Sequence, residues 1–109
     1  MKTKKYKISY TTLFKKEFNG VLEYIRCELE NQIAAESFLN KVNIAILNRA
    51  KNPLSFQKII SFKERKHPYY KICVGNYIIY YVVIGDIMEV RRIIYGRRNF
   101  TKKLFKNLK

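Results

Sequence analysis

Lys71, Tyr80 and Arg91 lie between Tyr69 and Phe100, where Gly75-Asn76 and Gly85-Asp86 each stand between runs of strand-forming residues. A guanidinium forks two oxygens, an ammonium supplies a point charge, and a phenol offers a π-face and a hydroxyl. Together they suit a phosphate beside a stacked base. Edge solvation and ordinary cross-strand pairing also account for such a trio. Tyr95-Gly96-Arg97-Arg98-Asn99-Phe100 follows, where a glycine past the last strand lets the backbone turn and aims Arg97 and Arg98 back toward the sheet. Adjacent arginines repel, which is tolerable where they are exposed or face anions; a plain basic turn is the simpler reading. His67, the only histidine, stands at the entry to this region. It could move a proton in nucleic-acid cleavage or simply occupy a loop.

The remaining chemistry is sparse. Glu64 and Glu89 are isolated carboxylates, which disfavours a two-metal nuclease. Neither a Gly-rich phosphate loop nor a serine elbow is present. Cys27 and Cys73 are too few for a zinc site or disulfide framework and read as reduced, small packing residues. No metal or other cofactor is expected.

These side chains need a sheet to hold them. Glycine first in a two-residue turn is the mark of a type II′ hairpin, so three strands should run as an antiparallel meander. Counting outward from tight turns, Val74 faces Tyr77 and Ile84 faces Ile87. One face then carries Ile72, Val74, Ile79, Tyr81, Val83, Met88, Val90 and Ile94 as a core surface. The other carries Lys71, Cys73, Ile78, Tyr80, Val82, Glu89, Arg91 and Ile93, with Lys71, Tyr80 and Arg91 in one row. A slip of one residue would invert the assignment.

Upstream, Tyr6, Ile8 and Tyr10 alternate with Lys7 and Ser9, which predicts a strand over 5–11. Thr11 or Thr12 can cap a helix whose stripe is Phe14, Phe18, Val21, Ile25 and Leu29, ending near Asn31. A second helix carries Ala35, Phe38, Val42, Ala45 and Arg49, widened by Ile46, until Asn52-Pro53 stops it. The two form an antiparallel hairpin. A connecting stretch over 56–67 includes a short extended piece at 58–62, and Phe100, Leu104, Phe105 and Leu108 mark a short amphipathic C-terminal helix. The expected fold is α+β: strand, two-helix hairpin, three-stranded meander and short terminal helix, in one domain over residues 1–109.

The chain has 109 residues, 48% of them apolar, enough for one modest core. Its charge is the outlier: 23 Lys and Arg against 8 Asp and Glu give +15. Five of the eight acids fall between Glu17 and Glu36, and eight basic residues follow Glu89 without an acid. Such a chain seeks a polyanion, an acidic protein, or both, unless it merely has a solvated basic surface. The basic N-terminus lacks an apolar signal region, and Tyr77–Ile84 is too short to cross a bilayer as a helix. The expectation is a soluble cytoplasmic protein with no membrane partner.

Tyr70-Lys71-Ile72, Val74-Gly75-Asn76-Tyr77-Ile78-Ile79-Tyr80-Tyr81, Gly85-Asp86, Glu89-Val90, Arg92-Ile93-Ile94 and Gly96-Arg97-Arg98-Asn99, in this element order, resemble the RelE/ParE superfamily of type II toxin-antitoxin toxins. The resemblance implies a small basic toxin neutralised by a cognate antitoxin that wraps it with acidic residues. In the RelE branch the toxin enters the ribosomal A site and cleaves mRNA without metal; in the ParE branch it blocks DNA gyrase and is not a nuclease. Lys71 matches a catalytic lysine of the RelE pattern and Arg98 the arginine after its last strand. Cys73, Ile78 and Leu104 stand where that pattern has a lysine, an arginine and a tyrosine. Tyr80, Arg91 or Tyr95 would have to substitute. The Gly-Arg-Arg and Gly-Asn-Tyr elements are closer to ParE, whereas +15 also suits ribosomal RNA through counterion release. A non-toxic nucleic-acid-binding module and a degenerate toxin that only binds its antitoxin are the alternatives.

Overall fold

The structure is a computed structural model that describes residues 6–59 and 66–96. The proposed C-terminal helix, most of the 58–62 extension, and Arg97 and Arg98 lie outside the described residues. Elements follow in the order β1 (Lys7–Tyr10), α1 (Thr12–Glu23), a π-helical turn (Tyr24–Glu28), α2 (Gln32–Arg49), β2 (Tyr70–Val74), β3 (Tyr77–Ile84) and β4 (Ile87–Tyr95). They form a four-stranded sheet of order β1-β4-β3-β2 beneath a helical layer.

Local chemistry explains most boundaries. Thr11 is the cap of α1: its hydroxyl accepts from the Phe14 amide at 3.1 Å and donates to the Arg91 carbonyl at 3.0 Å, tying the helix start to β4. Asn31 caps α2 through the Ala34 amide at 2.9 Å. Gly75 and Gly85 have φ of +57° and +61°. Among the described residues only Glu30 joins them at positive φ without being glycine, so Asn76 and Asp86 stay on the negative side. That combination is the type II′ hairpin. Gly96 has a different reason: a Cβ there would lie 2.5 Å from Ile78 Cδ1. The missing side chain provides clearance for the close approach, while the Gly96 amide donates to the Asn76 carbonyl at 2.7 Å.

The core joins Phe14 of α1, Val42 and Ile46 of α2, and Ile72, Val74, Ile79, Tyr81, Met88, Val90 and Ile93 of the sheet. Burial of this apolar surface is the main stabilising term. A ladder of rings runs through it from Tyr10 to Phe14, Phe18, Phe38, Tyr77 and Tyr95, with centroids 5.2–6.2 Å apart.

Four expectations need correction. The π-helical turn lengthens the hydrogen-bonded ring (Leu29 N–H to Tyr24 carbonyl, 3.2 Å) and rotates the helix phase. Leu29, expected on the apolar stripe, is exposed beyond that turn, whereas Leu22, four residues after Phe18 in α1, is buried. Both thiols are exposed, so neither Cys27 nor Cys73 is a packing residue. Ile93, not Ile94, completes the core, because β4 contains a bulge. For the same reason Arg91 does not occupy the expected row. None of the described helices is long and apolar enough to cross a membrane.

Candidate functional site

The outer face of the sheet is built by pairing. Since Ile72, Ile79 and Tyr81 face the helices, Lys71, Cys73, Ile78 and Tyr80 face the other way. Lys71 is opposite Tyr80, as expected. From the second hairpin the register runs Ile84–Ile87, Val83–Met88, Val82–Glu89 and Tyr81–Val90, then breaks. Tyr80 pairs with Arg92, and Arg91 is the extra residue of a bulge between Tyr80 and Tyr81. The row is therefore Lys71, Tyr80 and Arg92, with Arg91 displaced beside it.

The cause is visible in the residue types. In uninterrupted alternation Arg92 would follow Met88 and Val90 onto the core face, placing a charge under the helices. The bulge lets Arg91 and Arg92 both avoid the core and turns Ile93 inward. The Arg91-Arg92 doublet within an otherwise apolar strand was the available signal.

Each arginine then meets a carboxylate. Arg91 Nε donates to Glu89 at 2.7 Å, and its guanidinium lies 3.5 Å from the Tyr69 hydroxyl and 5.8 Å from the Tyr69 ring centroid. Burial lowers the Arg91 pKa, but its bonds to Tyr69 and Glu89 outweigh that, so the net shift is upward. Arg92 is held by Glu17 of α1, with Nε and NH2 bonds of 3.0 and 2.6 Å to one carboxylate oxygen. That pairing raises the Arg92 pKa despite burial. The other Glu17 oxygen accepts from the Ile93 amide at 3.1 Å. Because β1 stops opposite Val90, this carboxylate substitutes for a further strand residue at the β4 edge. Sequence reasoning missed Glu17 and Arg92.

Tyr80 is 1% exposed, which corrects the expectation that it offers an open stacking face. Tyr69 packs against it at 6.4 Å. Lys71 remains exposed on the strand. His67 joins Lys66, Tyr69 and Arg91 around an open cleft of about 280 Å³, so His67 and Arg91 do come together. Tyr95 lies at the far end of β4, edge-on to Tyr77 at 5.4 Å. There it lines a larger, mostly apolar groove of about 620 Å³ with Tyr24, Ile25, Leu29, Asn76 and Tyr77. Tyr95 thus lines a different cavity from the His67 cleft, four residues further along β4 than Arg91. Sequence periodicity did not reveal this groove, because the π-helical turn supplies two of its residues, Tyr24 and Ile25, and Leu29 follows directly after the turn.

A third cluster braces β2 from below. Arg49 of α2 donates to the Lys71 carbonyl at 3.0 Å and to the Tyr81 hydroxyl at 3.1 Å, with its guanidinium 3.4 Å from the Phe56 ring centroid. Tyr81 in turn donates to the Pro53 carbonyl at 2.7 Å. Burial pushes the Tyr81 pKa up while Arg49 pulls it down, and burial prevails. Arg49 therefore fixes the backbone that presents Lys71. Among the described residues, no cluster of His, Cys, Asp and Glu is suited to hold a metal ion.

A family model for the ParE toxin of the type II toxin-antitoxin system parDE matches residues 8–100. The chain belongs to the ParE toxin family. It is accordingly the toxin member of a type II toxin-antitoxin system. No curated protein matches it in sequence. A solved structure described as the chromosomal ParDE system from P. aeruginosa is similar in fold, with a TM-score of 0.66 and 9% identity, covering 84% of this chain and 97% of that one. The RelB-RelE antitoxin-toxin complex from Methanococcus jannaschii gives a TM-score of 0.47 and 21% identity over 93% of this chain and 99% of that one.

Proposed function

We propose that this ParE-family toxin inhibits growth by binding DNA gyrase in the cytoplasm, without cutting RNA, and is held in check by a cognate acidic antitoxin. The observation that carries the reading is the engagement of both β4 arginines by carboxylates, Arg91 by Glu89 and Arg92 by Glu17, beside a buried Tyr80. Phosphodiester cleavage needs a cation free to take up charge on the phosphate and a group placed to move the 2′-hydroxyl proton. With Cys73 and Ile78 at two further positions of the RelE pattern, the outer face is better suited to recognition. Lys71, Arg97, Arg98 and Tyr95 are the residues assigned to target contact.

A second reading, ribosome-dependent mRNA cleavage, draws on the cleft that brings His67 and Lys66 to Arg91 and Tyr69. There Lys71 and Arg98 would neutralise the phosphate and His67 would carry the proton. Induction in a bacterium separates the two. Growth arrest with intact transcripts by primer extension, relieved by the antitoxin and weakened by alanine at Arg97 and Arg98, is expected. Transcripts cut within ribosome-bound codons, or the absence of arrest, would overturn the proposal.

A further inference from the structure

The apolar groove beside Tyr95 lies where the described chain ends. Tyr95 is the last residue of β4, and the Gly96 amide donates to the Asn76 carbonyl at 2.7 Å, so the backbone leaves the sheet against a residue of the groove's own lining. Tyr24, Leu29 and Tyr95 are 51%, 56% and 39% exposed, although with Ile25 and Tyr77 they surround about 620 Å³. Open aromatic and aliphatic groups around one concavity suit apolar side chains that enter from outside.

Charge selects the occupant. Glu28 and Glu30 stand on either side of Leu29 in the chain and are exposed, and among the described residues neither has an ion-pair partner. Their loop is fixed to the groove wall, because the Leu29 amide donates to the Tyr24 carbonyl and the Asn31 amide to the Ile25 carbonyl, both at 3.2 Å. An acidic partner would set like charge against these carboxylates, whereas an apolar segment with basic flanks is favoured. Residues 97–109 have that composition: six Lys and Arg, no Asp or Glu, and Phe100, Leu104, Phe105 and Leu108. At helical spacing those four apolar positions fall within an arc of about 140°, with Lys103 beside one edge and Lys109 beside the other. The sheet offers these cations little competition, since Glu17 and Glu89 are held by Arg92 and Arg91. A short tether also keeps the segment at an effective concentration on the order of millimolar, so a weak contact is enough.

We propose that the C-terminal segment 97–109 folds back into the groove of its own chain, seating the Phe100–Leu108 stripe against Tyr24, Leu29 and Tyr95 with its lysines toward Glu28 and Glu30. The contact does not use the His67 cleft. Its measurement needs no gyrase, so its failure would leave the gyrase reading untouched.

Paramagnetic relaxation in the full chain is the test. Cys27→Ser and Cys73→Ser remove the two exposed native thiols, and Lys106→Cys, opposite the stripe, carries a nitroxide. The expected result is loss of the Tyr24, Leu29, Asn76 and Tyr77 amide signals, while that of Asp86, beyond the other end of β3, is retained. Leu104→Asp in the tail and Leu29→Lys in the groove should each restore the lost signals, with unchanged far-UV circular dichroism. Glu28→Lys combined with Glu30→Lys should restore them in part. Mixing isotope-labelled chain without the nitroxide and unlabelled chain with it should leave every signal intact. Broadening in that mixture would assign the contact to a second copy and overturn docking within one chain. Groove signals that persist beside the nitroxide, or a loss that survives Leu104→Asp and Leu29→Lys, would overturn the proposal outright, and indifference to the two glutamate reversals would overturn the selection by charge.

Discussion

Tyr80 and Tyr81 are neighbours in β3, equally buried at 1% and 0% exposure, yet they belong to different kinds of surface. Tyr81 points under the helices, stacks on Tyr70 with ring centroids 5.2 Å apart, and has its hydroxyl fixed by Arg49 and Pro53. Tyr80 points outward among Lys71, Tyr69, Arg91 and Arg92, where carboxylates neutralise the arginines. The inner face is held by apolar packing with one polar brace; the outer face is held by charge pairing across a register break. Perturbing packing or the Glu17–Arg92 pair should therefore cost stability, whereas perturbing the more open Arg91–Glu89 pair should mainly change binding.

Core truncation is expected to give the largest effect. Ile79→Ala removes a side chain with no exposure and should cost about 2–5 kcal/mol in chemical denaturation. A smaller loss would mean that the layer above β3 can collapse into the cavity. Glu17→Ala comes next. It strips Arg92 of its partner and leaves the Ile93 amide without that acceptor, so a loss of about 2 kcal/mol is expected, less than for a fully buried pair because both side chains are about a quarter exposed. Glu17→Gln should recover part of it by keeping the amide contact.

The hairpin corners rank third. Alanine at Gly85, whose φ is +61°, should cost about 1 kcal/mol through backbone strain, although a Cβ there meets no neighbour within 4 Å. Glu89→Ala is expected to be smaller still, below about 1 kcal/mol, since that pair is more open. It should nevertheless free Arg91 and change the affinity for polyanions in a salt-dependent way. If Glu89→Ala proves more damaging than Glu17→Ala, the contrast between a latch and a surface pair is wrong.

Alkaline titration probes the packed inner side. Burial raises the pKa of Tyr81, and also of Tyr10 and Tyr77, above the ordinary 10.0. The folded state then holds those protons more tightly than the unfolded chain. The resulting stability is complete below pH 10.0 and declines as pH rises through the folded pKa values. Tyrosinate absorbance should show a late class that titrates in the normal range once the chain is unfolded. Tyr81→Phe should diminish that class.

Much of this contrast was legible in the residues. Gly-Asn and Gly-Asp between β-rich runs predicted both type II′ corners, and Thr11 is one of the two candidate caps, Thr11 or Thr12, that the sequence offers before α1. The meander's inner face followed by counting as far as Val90. Beyond it the count failed, because a bulge is a single inserted residue and leaves no turn signal. Only the cost of burying Arg92 betrays it. The Glu17 latch was invisible for another reason: it spans 75 positions and depends on β1 pairing parallel to β4 and stopping early. The apolar groove at Tyr24 and Tyr95 depends on the π-helical turn, which amphipathic periodicity reads as ordinary helix. The exposure of Ile33, Ile44 and Leu47 on α2, opposite the buried Ala35, Val42 and Ile46, was likewise hidden, since a helix apolar on opposite faces has little net amphipathicity.

The recognition reading is tested most directly by plasmid supercoiling with purified gyrase, run beside a translation reaction programmed with a defined mRNA. The account predicts that the wild-type chain inhibits supercoiling, that alanine at Arg97 and Arg98 weakens the inhibition, and that the mRNA stays whole. Normal supercoiling together with cleaved mRNA would contradict it.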